Sequence, residues 1–302
     1  MLKVIVLMST YNGERYIKEQ IESVLSQRGD FELDILVRDD GSIDSTKNIL
    51  EHYADEGKLN WYIGKNLGSA KSFIHLIESC GDYDYYAFAD QDDVWLSDKL
   101  QRGIEKLQNQ QMPALYCSNA KLVNAELESL GRNVYKRTPK TDFETVVCAG
   151  GLLGCTMIFN HVLAAEIRKA QKELQIIMHD YYVAVLCTAL NGKILYDEVP
   201  SMLYRQHQNN VVGCSYGFVN NIKDRIKDIT SEKPIYISDQ AESILMAHQE
   251  QLPEDKKLWL QKVTCYRDSL LNRVQLAFSL RTRYSNTNIG IKLRLSILLG
   301  NR

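Results

Sequence analysis

The chain has 302 residues, 45% hydrophobic and 25% charged, a composition typical of a globular protein with one large domain or a domain plus an appendage. Its net charge of −2 does not indicate nucleic-acid binding. No run approaches the roughly 18 apolar residues that a membrane span needs, and the apolar start turns polar too early for a signal peptide.

The first hundred residues alternate between strand and helix patterns. Residues 3–9 form an apolar, β-branched run typical of a strand buried on both faces, and residues 13–27 then show helical periodicity. Strand patterns recur at 33–42 and 84–90, and residues 94–110 are predicted to form one helix. This alternation predicts parallel pairing in an α/β fold.

Polar residues follow three of these strands. Ligands of open α/β sheets gather at the carboxyl ends of the strands, so we expect these residues to converge on one edge. They are Ser9, Thr10 and Tyr11, then Asp39 and Asp40, then Asp90, Asp92 and Asp93.

The acidic stretch 88–95, FADQDDVW, crowds like charges that repel one another. Asp90 and Asp92 at spacing i, i+2 could face one hard cation, Mg²⁺ or Mn²⁺, which take oxygen ligands and substrate phosphates. The alternative is a solvated loop that caps the next helix. The second acidic pair, Asp39–Asp40, and the nearby Tyr11 favour a nucleotide-diphosphate site.

The remainder of the chain is less regular. Residues 114–126 and 150–160 read as strands, 161–172 and 179–192 as helices, and 193–210 as a strand pair broken at Pro200. Beyond about residue 215 helical periodicity dominates. We therefore predict a catalytic domain over 1–215 and a helical region over 216–302.

The ordered motifs STYNGERYIKEQIESVLSQ, VRDDGSIDST, NLGSAKSF and FADQDDVW resemble the inverting nucleotide-sugar glycosyltransferases of family 2, which have the GT-A fold. GCTMIFN, HDYY and YRQHQNNVVG resemble the bacterial rhamnosyltransferase-type branch. The resemblance covers about residues 1–215. It implies a mostly parallel sheet flanked by helices, a nucleotide-sugar donor, Mg²⁺ or Mn²⁺, and a hydroxyl acceptor on a glycan.

The resemblance also implies residue roles. It assigns Asp92 as the direct metal ligand with Asp90 beside it, and Asp93 as an outer-shell or donor-sugar contact. Asp180 matches the catalytic base, which takes the acceptor proton. The nucleoside and phosphate contacts that it implies are Thr10, Tyr11, Asp39, Asp40, Asn66, Lys71 and Asp90.

The roles of three further residues are predicted less specifically. Arg205 is expected at the diphosphate, and His207 as a further metal or phosphate ligand. His179 is expected either to orient Asp180 and contact the substrates or to pack neutrally. The motif departs from the Gln-x-x-Arg-Trp pattern of processive members, which argues for adding single sugars or short runs.

Two other classes remain open at this point. A nucleotidyltransferase should show a Gly-rich basic loop after the first strand, where STYNGERY has one Gly. A non-catalytic relative should have lost Asp92 or Asp180, and both are present. The branch favours dTDP-L-rhamnose as donor, with UDP-galactose, UDP-glucose or a furanose donor as alternatives. The expected acceptor is a cell-surface polysaccharide or a lipid-linked glycan.

The C-terminal segment mixes Leu, Ile and Phe with the basic residues Arg281, Arg283, Lys292 and Arg294. Such a pattern is typical of a membrane-surface helix, but packing on the catalytic domain or on a second subunit is slightly favoured over membrane contact. The seven cysteines are dispersed without a C-x-x-C pair, which predicts reduced thiols. We expect a cytoplasmic protein, peripheral at the inner face of the membrane if the tail binds lipid.

Overall fold

The protein is described by a computed structural model covering residues 1–169, 174–207, 233–284 and 287–302. The strands are β1 (Leu2–Thr10), β2 (Phe31–Asp39), β3 (Asn60–Ile63), β4 (Tyr85–Ala89), β5 (Val94–Trp95), β6 (Ala114–Ser118), β7 (Lys121–Val123), β8 (Ser129–Asn133), β9 (Ile158–Asn160), β10 (Lys193–Asp197) and β11 (Met202–Arg205). The helices are α1 (Ile17–Leu25), α2 (Thr46–Asp55), α3 (Gly68–Ser79), α4 (Lys99–Leu107), α5 (Phe143–Ala149), α6 (His161–Arg168), α7 (His179–Ala189), α8 (Ile237–His248), α9 (Glu254–Thr264), α10 (Leu270–Ala277) and α11 (Thr287–Leu298).

The main sheet has the strand order β10-β6-β9-β4-β1-β2-β3. Its pairs are parallel except around β9, which runs antiparallel to both β4 and β6. The predicted mostly parallel sheet flanked by helices is therefore confirmed. Strands β4, β1 and β2 are neighbours, with Met8 opposite Ala89 and Thr10 opposite Asp39, so their carboxyl ends meet at one edge.

A second, smaller sheet has the order β5-β11-β7-β8. The predicted helix over 94–110 is wrong at its start, because Val94 and Trp95 pair with Leu203 and Met202 and the helix begins at Lys99. Tertiary pairing with a strand more than a hundred residues away overrides the local pattern here. The acidic loop therefore runs from β4 of the main sheet to β5 of the small sheet, which fixes one end in each sheet.

The main sheet is buried on both faces. Val4, Val6 and Met8 of β1 belong to one hydrophobic cluster, while Ile5 and Leu7 belong to the other. Successive side chains of a strand point to opposite faces, so the continuous apolar run supplies two cores at once. The rigid sheet then presents its carboxyl edge as a fixed platform.

The C-terminal helices α8–α11 pack on the side of the sheet that carries α5 and α7. Ile244, Trp259 and Ile297 share one hydrophobic cluster with Phe88 and Tyr182. The predicted boundary at residue 215 lies outside the described residues and stays a prediction. None of the helices in the described ranges has the length and apolarity to cross a bilayer.

Candidate active site

A cleft of about 970 Å³ lies at the carboxyl edge of β4, β1 and β2. Pockets of several hundred Å³ are the size that substrates and cofactors occupy. Among the described residues, the predicted site residues that line the cleft are Thr10, Tyr11, Asp40, Asn66, Asp90, Asp92, His179, Asp180 and His207. Asp39, Lys71, Asp93 and Arg205 do not line it.

Gln91 ties the loop after β1 to the acidic loop. Its Oε1 accepts hydrogen bonds from Thr10 Oγ1 at 2.5 Å and from the Tyr11 amide at 3.0 Å, and its Nε2 donates to Tyr11 O. The Tyr11 ring remains half exposed at the mouth of the cleft. These hydrogen bonds therefore join the two loops, and the aromatic face stays available for stacking.

The acids after β2 organise the next loop. Asp39 is buried, and its Oδ2 accepts from the amides of Gly41 and Ser42, while its Oδ1 has no partner. Asp40 is paired with the buried Arg38 and accepts from the Gly68 amide at 2.9 Å. Asp40 thus joins β2 to the start of α3 and shapes that wall of the cleft.

Of the two residues predicted to bind the nucleotide near the start of α3, one lines the cleft and the other does not. Asn66 is exposed at the cleft, where its Oδ1 accepts from the Gly68 amide. Lys71 is exposed on α3, away from the lining. A lysine could reach the cleft only by moving its long side chain, so the phosphate role of Lys71 stays a prediction.

The acidic loop brings a carboxylate and an imidazole into contact. Asp92 Oδ2 lies 2.7 Å from His207 Nε2, although 115 residues separate them. Burial and the neighbouring charges of Asp92 and Asp180 raise the pKa of Asp90 to about 7. The cleft floor therefore concentrates negative charge that a cation would relieve.

A more deeply buried cluster lies behind this floor. Asp90, Asp93 and Cys155 have ligand atoms within 4.8 Å of one another, and Asp93 Oδ2 has no partner. The buried Lys99 donates to Cys155 O and interacts electrostatically with Asp93 and Asp90, while burial lowers the pKa of Lys99 to about 8. Because this ammonium group already supplies positive charge, the cluster is a poorer cation site than the cleft floor.

Arg205 holds the acidic loop from below. Its backbone amide donates to Asp93 Oδ1 at 3.0 Å, and its Nε donates to Asp92 O at 2.8 Å. The buried guanidinium also pairs with Glu19 and lies 4.4 Å from the centroid of the Tyr16 ring. In this structure Arg205 positions the loop and does not reach the cleft, unlike the diphosphate contact expected from the sequence.

Asp180 lies at the opposite wall, in the first turn of α7. Its Oδ2 accepts from the Gly154 amide at 3.0 Å and its Oδ1 from the Tyr181 amide at 2.6 Å. Burial raises the pKa of Asp180 to about 6, although both amide bonds favour the ionised form. Near neutral pH this carboxylate is ionised and held in one direction by the two amides. Its ionised form is only weakly favoured, so it can accept a proton, as a general base requires.

His179 packs instead of hydrogen bonding. Its ring stacks on Phe73 with centroids 4.0 Å apart, and neither ring nitrogen has a partner. Burial lowers the pKa of His179 to about 3, so the ring is neutral. No hydrogen bond to Asp180 is present among the described contacts, which favours the packing interpretation over the orienting one.

The backbone at residue 154 lies so close to His179 and Asp180 that only a glycine fits there. A Cβ at this position would lie 2.5 Å from His179 Nε2 and 3.1 Å from Asp180 Cβ. Gly154→Ala should therefore displace the carboxylate and lower turnover roughly 10- to 100-fold, since small misplacements of a reacting group are costly. It should also lower the free energy of unfolding by about 1–3 kcal/mol through overpacking.

The matched control is Gly81→Ala. A Cβ at Gly81 would meet only the Tyr83 ring at 3.9 Å, outside the cleft. Turnover and denaturant unfolding of both variants would be measured side by side. Unchanged turnover in Gly154→Ala would show that this glycine does not set the position of Asp180.

The residues of the cleft floor fit a divalent cation. Asp90 and Asp92 supply carboxylate oxygens, which Mg²⁺ and Mn²⁺ prefer, and His207 supplies a nitrogen that suits Mn²⁺. Burial and the charges of Asp92 and Asp180 raise the pKa of Asp90, and the positive charge of Lys99 offsets this rise only in part.

Comparison with known sequences identifies related proteins. The model of "Glycosyl transferase family 2" matches residues 5–159. The dTDP-rhamnosyl transferase RfbG of Shigella flexneri is 34% identical over 223 residues, which is 70% of this chain and 75% of that protein. The putative teichuronic acid biosynthesis glycosyltransferase TuaG of Bacillus subtilis is 35% identical over 34% of this chain and 40% of its own.

Solved structures share the fold at much lower identity. TarS 1–349 of S. aureus in complex with UDP superposes with a TM-score of 0.54 and 15% identity over 99% of this chain and 89% of its own. The mannosyltransferase PcManGT of Pyrobaculum calidifontis, solved with GDP-Man and Mn²⁺, has a TM-score of 0.55 and 13% identity over 97% of this chain and 72% of its own. These structural similarities show a common fold, but at such low identity they do not show a common reaction.

Proposed function

The chain belongs to glycosyl transferase family 2 and has the GT-A fold, and on this premise we propose that it transfers L-rhamnose from dTDP-rhamnose to a glycan hydroxyl. One observation carries the proposed chemistry. Asp180, aimed by two backbone amides, faces the Asp90–Asp92–His207 floor across one cleft and lies close enough to raise the pKa of Asp90.

We propose a single displacement with inversion. Asp180 takes the proton of the acceptor hydroxyl while the hydroxyl oxygen bonds to the anomeric carbon, and the bond from that carbon to the diphosphate oxygen breaks. The Gly154 and Tyr181 amides hold the carboxylate in direction throughout. No covalent sugar intermediate is needed, because the two half-bonds form and break on opposite faces of the sugar.

Asp92, His207 and Asp90 would hold Mg²⁺ or Mn²⁺, which when bound supplies positive charge for the departing diphosphate. Asp93, tied to the Arg205 amide, would keep the loop in register as an outer-shell residue. Thr10, Tyr11 and Asp40 would form the nucleoside wall, and the buried Asp39 would hold the Gly41–Ser42 turn behind it. This division leaves Asp180 alone on the acceptor side.

The donor proposal is supported by the dTDP-rhamnosyl transferase relative, which spans most of the chain. The proposed acceptor class, a cell-surface polysaccharide or lipid-linked glycan, is supported by the relative named for teichuronic acid biosynthesis. A UDP-hexose or furanose donor is the alternative. We propose a cytoplasmic enzyme, since the described cysteines are free thiols, most of them buried.

A donor panel tests this assignment. The purified protein would be incubated with dTDP-rhamnose, UDP-glucose, UDP-galactose and a UDP-furanose, with Mn²⁺ or EDTA, and nucleotide release would be measured. We expect the fastest Mn²⁺-dependent release of dTDP from dTDP-rhamnose. Faster release of UDP from any hexose or furanose donor would overturn the rhamnose assignment but not the mechanism.

The pH dependence of transfer is a further prediction. Asp180 acts in its ionised form and has a pKa raised to about 6, so kcat/KM should fall as pH drops through about 6. Below that value the loss approaches tenfold per pH unit. Rates would be measured at saturating Mn²⁺, so that protonation of Asp90 does not compete with metal binding.

The control for this profile is the residual activity of Asp180→Asn, which should lack the acid limb near pH 6. If the limb persisted unchanged in that variant, another group would be the base. Donor binding measured across the same pH range separates a loss of affinity from a loss of turnover.

A further inference from the structure

The C-terminal helices expose an unusual share of apolar side chains. Of the 19 large apolar residues that are exposed in the described part of the chain, nine lie between Leu258 and Leu299. That segment is about a seventh of the chain. Scattered exposed leucines are normal, but a concentration of this kind marks an interaction site.

These residues form two ridges on neighbouring helices. Leu270, Leu271 and Val274 of α10 are exposed, as is Phe278 directly after the helix, and the four lie within about 100° of its circumference at 100° per residue. Ile291 and Leu295 of α11 and Leu299 directly after it are exposed at spacing i, i+4, i+8. Helices α10 and α11 pack against each other, and Leu280 in their connection is 93% exposed. We call these eight residues the C-terminal apolar surface.

The ridges are the outer faces of helices that are anchored elsewhere. On α10 the buried apolar side chains are Leu276 and Ala277, and on α11 they are Leu293 and Ile297. Leu276, Ala277 and Ile297 belong to the main hydrophobic cluster. The helices are therefore already packed on the protein through their buried residues, and the exposed ridges take no part in that packing.

Charge separates sharply along the chain. Residues 256–302 contain ten Lys or Arg and one Asp, whereas residues 1–255 contain 26 Lys or Arg and 37 Asp or Glu. The described basic side chains beside the ridges include Arg281, Arg283 and Lys292. Apolar ridges bordered by positive charge on a protein that is otherwise negative match the chemistry of an anionic lipid surface.

We propose that the C-terminal apolar surface docks on an anionic lipid bilayer, with the ridges of α10 and α11 in the interfacial region and the basic side chains at the headgroups. A second copy of the chain fits less well. A symmetric contact would bring two strongly positive segments together, and like charges across an interface oppose association.

The C-terminal segment also contacts the helix that leads into the cleft. Arg302 donates to Cys148 O and Ala149 O at the end of α5, and the Arg283 amide donates to Thr145 Oγ1 within it. The chain continues from α5 to Gly154, whose amide holds Asp180. The docked surface is therefore connected to the acceptor wall of the cleft.

Vesicle co-sedimentation tests the proposal with the full chain. Vesicles of phosphatidylcholine alone and of phosphatidylcholine with phosphatidylglycerol would be compared at low and high salt. We expect pelleting only with the anionic vesicles and release at high salt, because the Debye length falls to about 3 Å at 1 M.

Two variants separate the apolar and charged contributions. Leu271→Gln, Phe278→Gln, Leu280→Gln and Leu295→Gln combined should lower vesicle affinity at least tenfold. Arg281→Gln, Arg283→Gln and Lys292→Gln combined should lower it about a hundredfold and flatten the salt dependence, since each basic residue contributes roughly a fivefold factor. The matched control is Met112→Gln with Val199→Gln, two exposed apolar residues elsewhere, which should bind as the wild type does.

Two results would overturn the proposal. One is equal pelleting of the wild type and the ridge variant. The other is a wild-type dimer in analytical ultracentrifugation that becomes monomeric in the ridge variant, which would assign the surface to a second copy. Thermal unfolding and donor hydrolysis in solution confirm that each variant is folded, and they separate failure of docking from failure of the proposed function.

Discussion

Asp180→Asn should lose roughly 10²- to 10⁴-fold in turnover, the range that general base catalysis contributes. The amide keeps the size of the side chain and its place in the first turn of α7, but it cannot accept the acceptor proton. The Gly154 and Tyr181 amides donate to different oxygens of Asp180, so only one of the two hydrogen bonds survives in the variant, and this change stays on the proposed acceptor side of the cleft. Donor affinity should therefore stay nearly unchanged, as measured by calorimetry alongside initial rates.

The control must remove a helix N-terminal carboxylate without touching the cleft. Asp255→Asn does so in the first turn of α9, where an acid favours the helix dipole in the same way. It should leave turnover as it is. A collapse of donor affinity in Asp180→Asn with turnover maintained would make Asp180 a binding residue.

Asp92→Asn should cost about 10³-fold or more in transfer, because a bound cation supplies several kcal/mol of charge stabilisation and each 1.36 kcal/mol is tenfold in rate. The fold should survive, since the Asp92 side chain contacts His207 at the cleft and lies outside the core. Full activity of this variant in EDTA would refute the metal assignment.

Thermal unfolding provides a readout that is independent of activity. Mn²⁺ at about 100 times its dissociation constant should stabilise the wild type by about 2.7 kcal/mol and raise its Tm. Asp92→Asn should show little of this shift. Asp98→Asn, an exposed acid just beyond the same loop, is the matched control and should respond as the wild type does.

The fold was largely predictable, because the sheet is buried on both faces and its strands appear in the sequence as continuous apolar runs. The error at Val94–Trp95 has a physical cause. Its partner strand β11 comes more than a hundred residues later, and no local pattern records that pairing. The same long-range pairing carries Arg205 under the acidic loop.

The site was predictable to the extent that strand ends converge. Thr10, Asp40, Asp90 and Asp92 line one cleft because β1, β2 and β4 are neighbours in a mostly parallel sheet. The side-chain directions were not predictable. Burial determined that His179 packs on Phe73, and burial depends on the complete fold.

Three contributors to the site went unrecognised in the sequence. Gln91 stands inside the acidic motif, and its bonds to the loop after β1 depend on strand neighbours. Gly154 lies in a glycine-rich turn, which was the one available signal of a close approach. Lys99 resembles an ordinary helix lysine, and only its burial beside Cys155 O and the acids shows that it balances their charge.

Inversion at the anomeric carbon is tested by identifying the sugar anomer that is first released when water is the acceptor. Real-time proton NMR of donor hydrolysis reports the anomer before mutarotation mixes the two forms. A hydroxyl activated by Asp180 in a single displacement predicts that the first anomer has the configuration opposite to that of the donor. A first anomer with the configuration of the donor would contradict the mechanism.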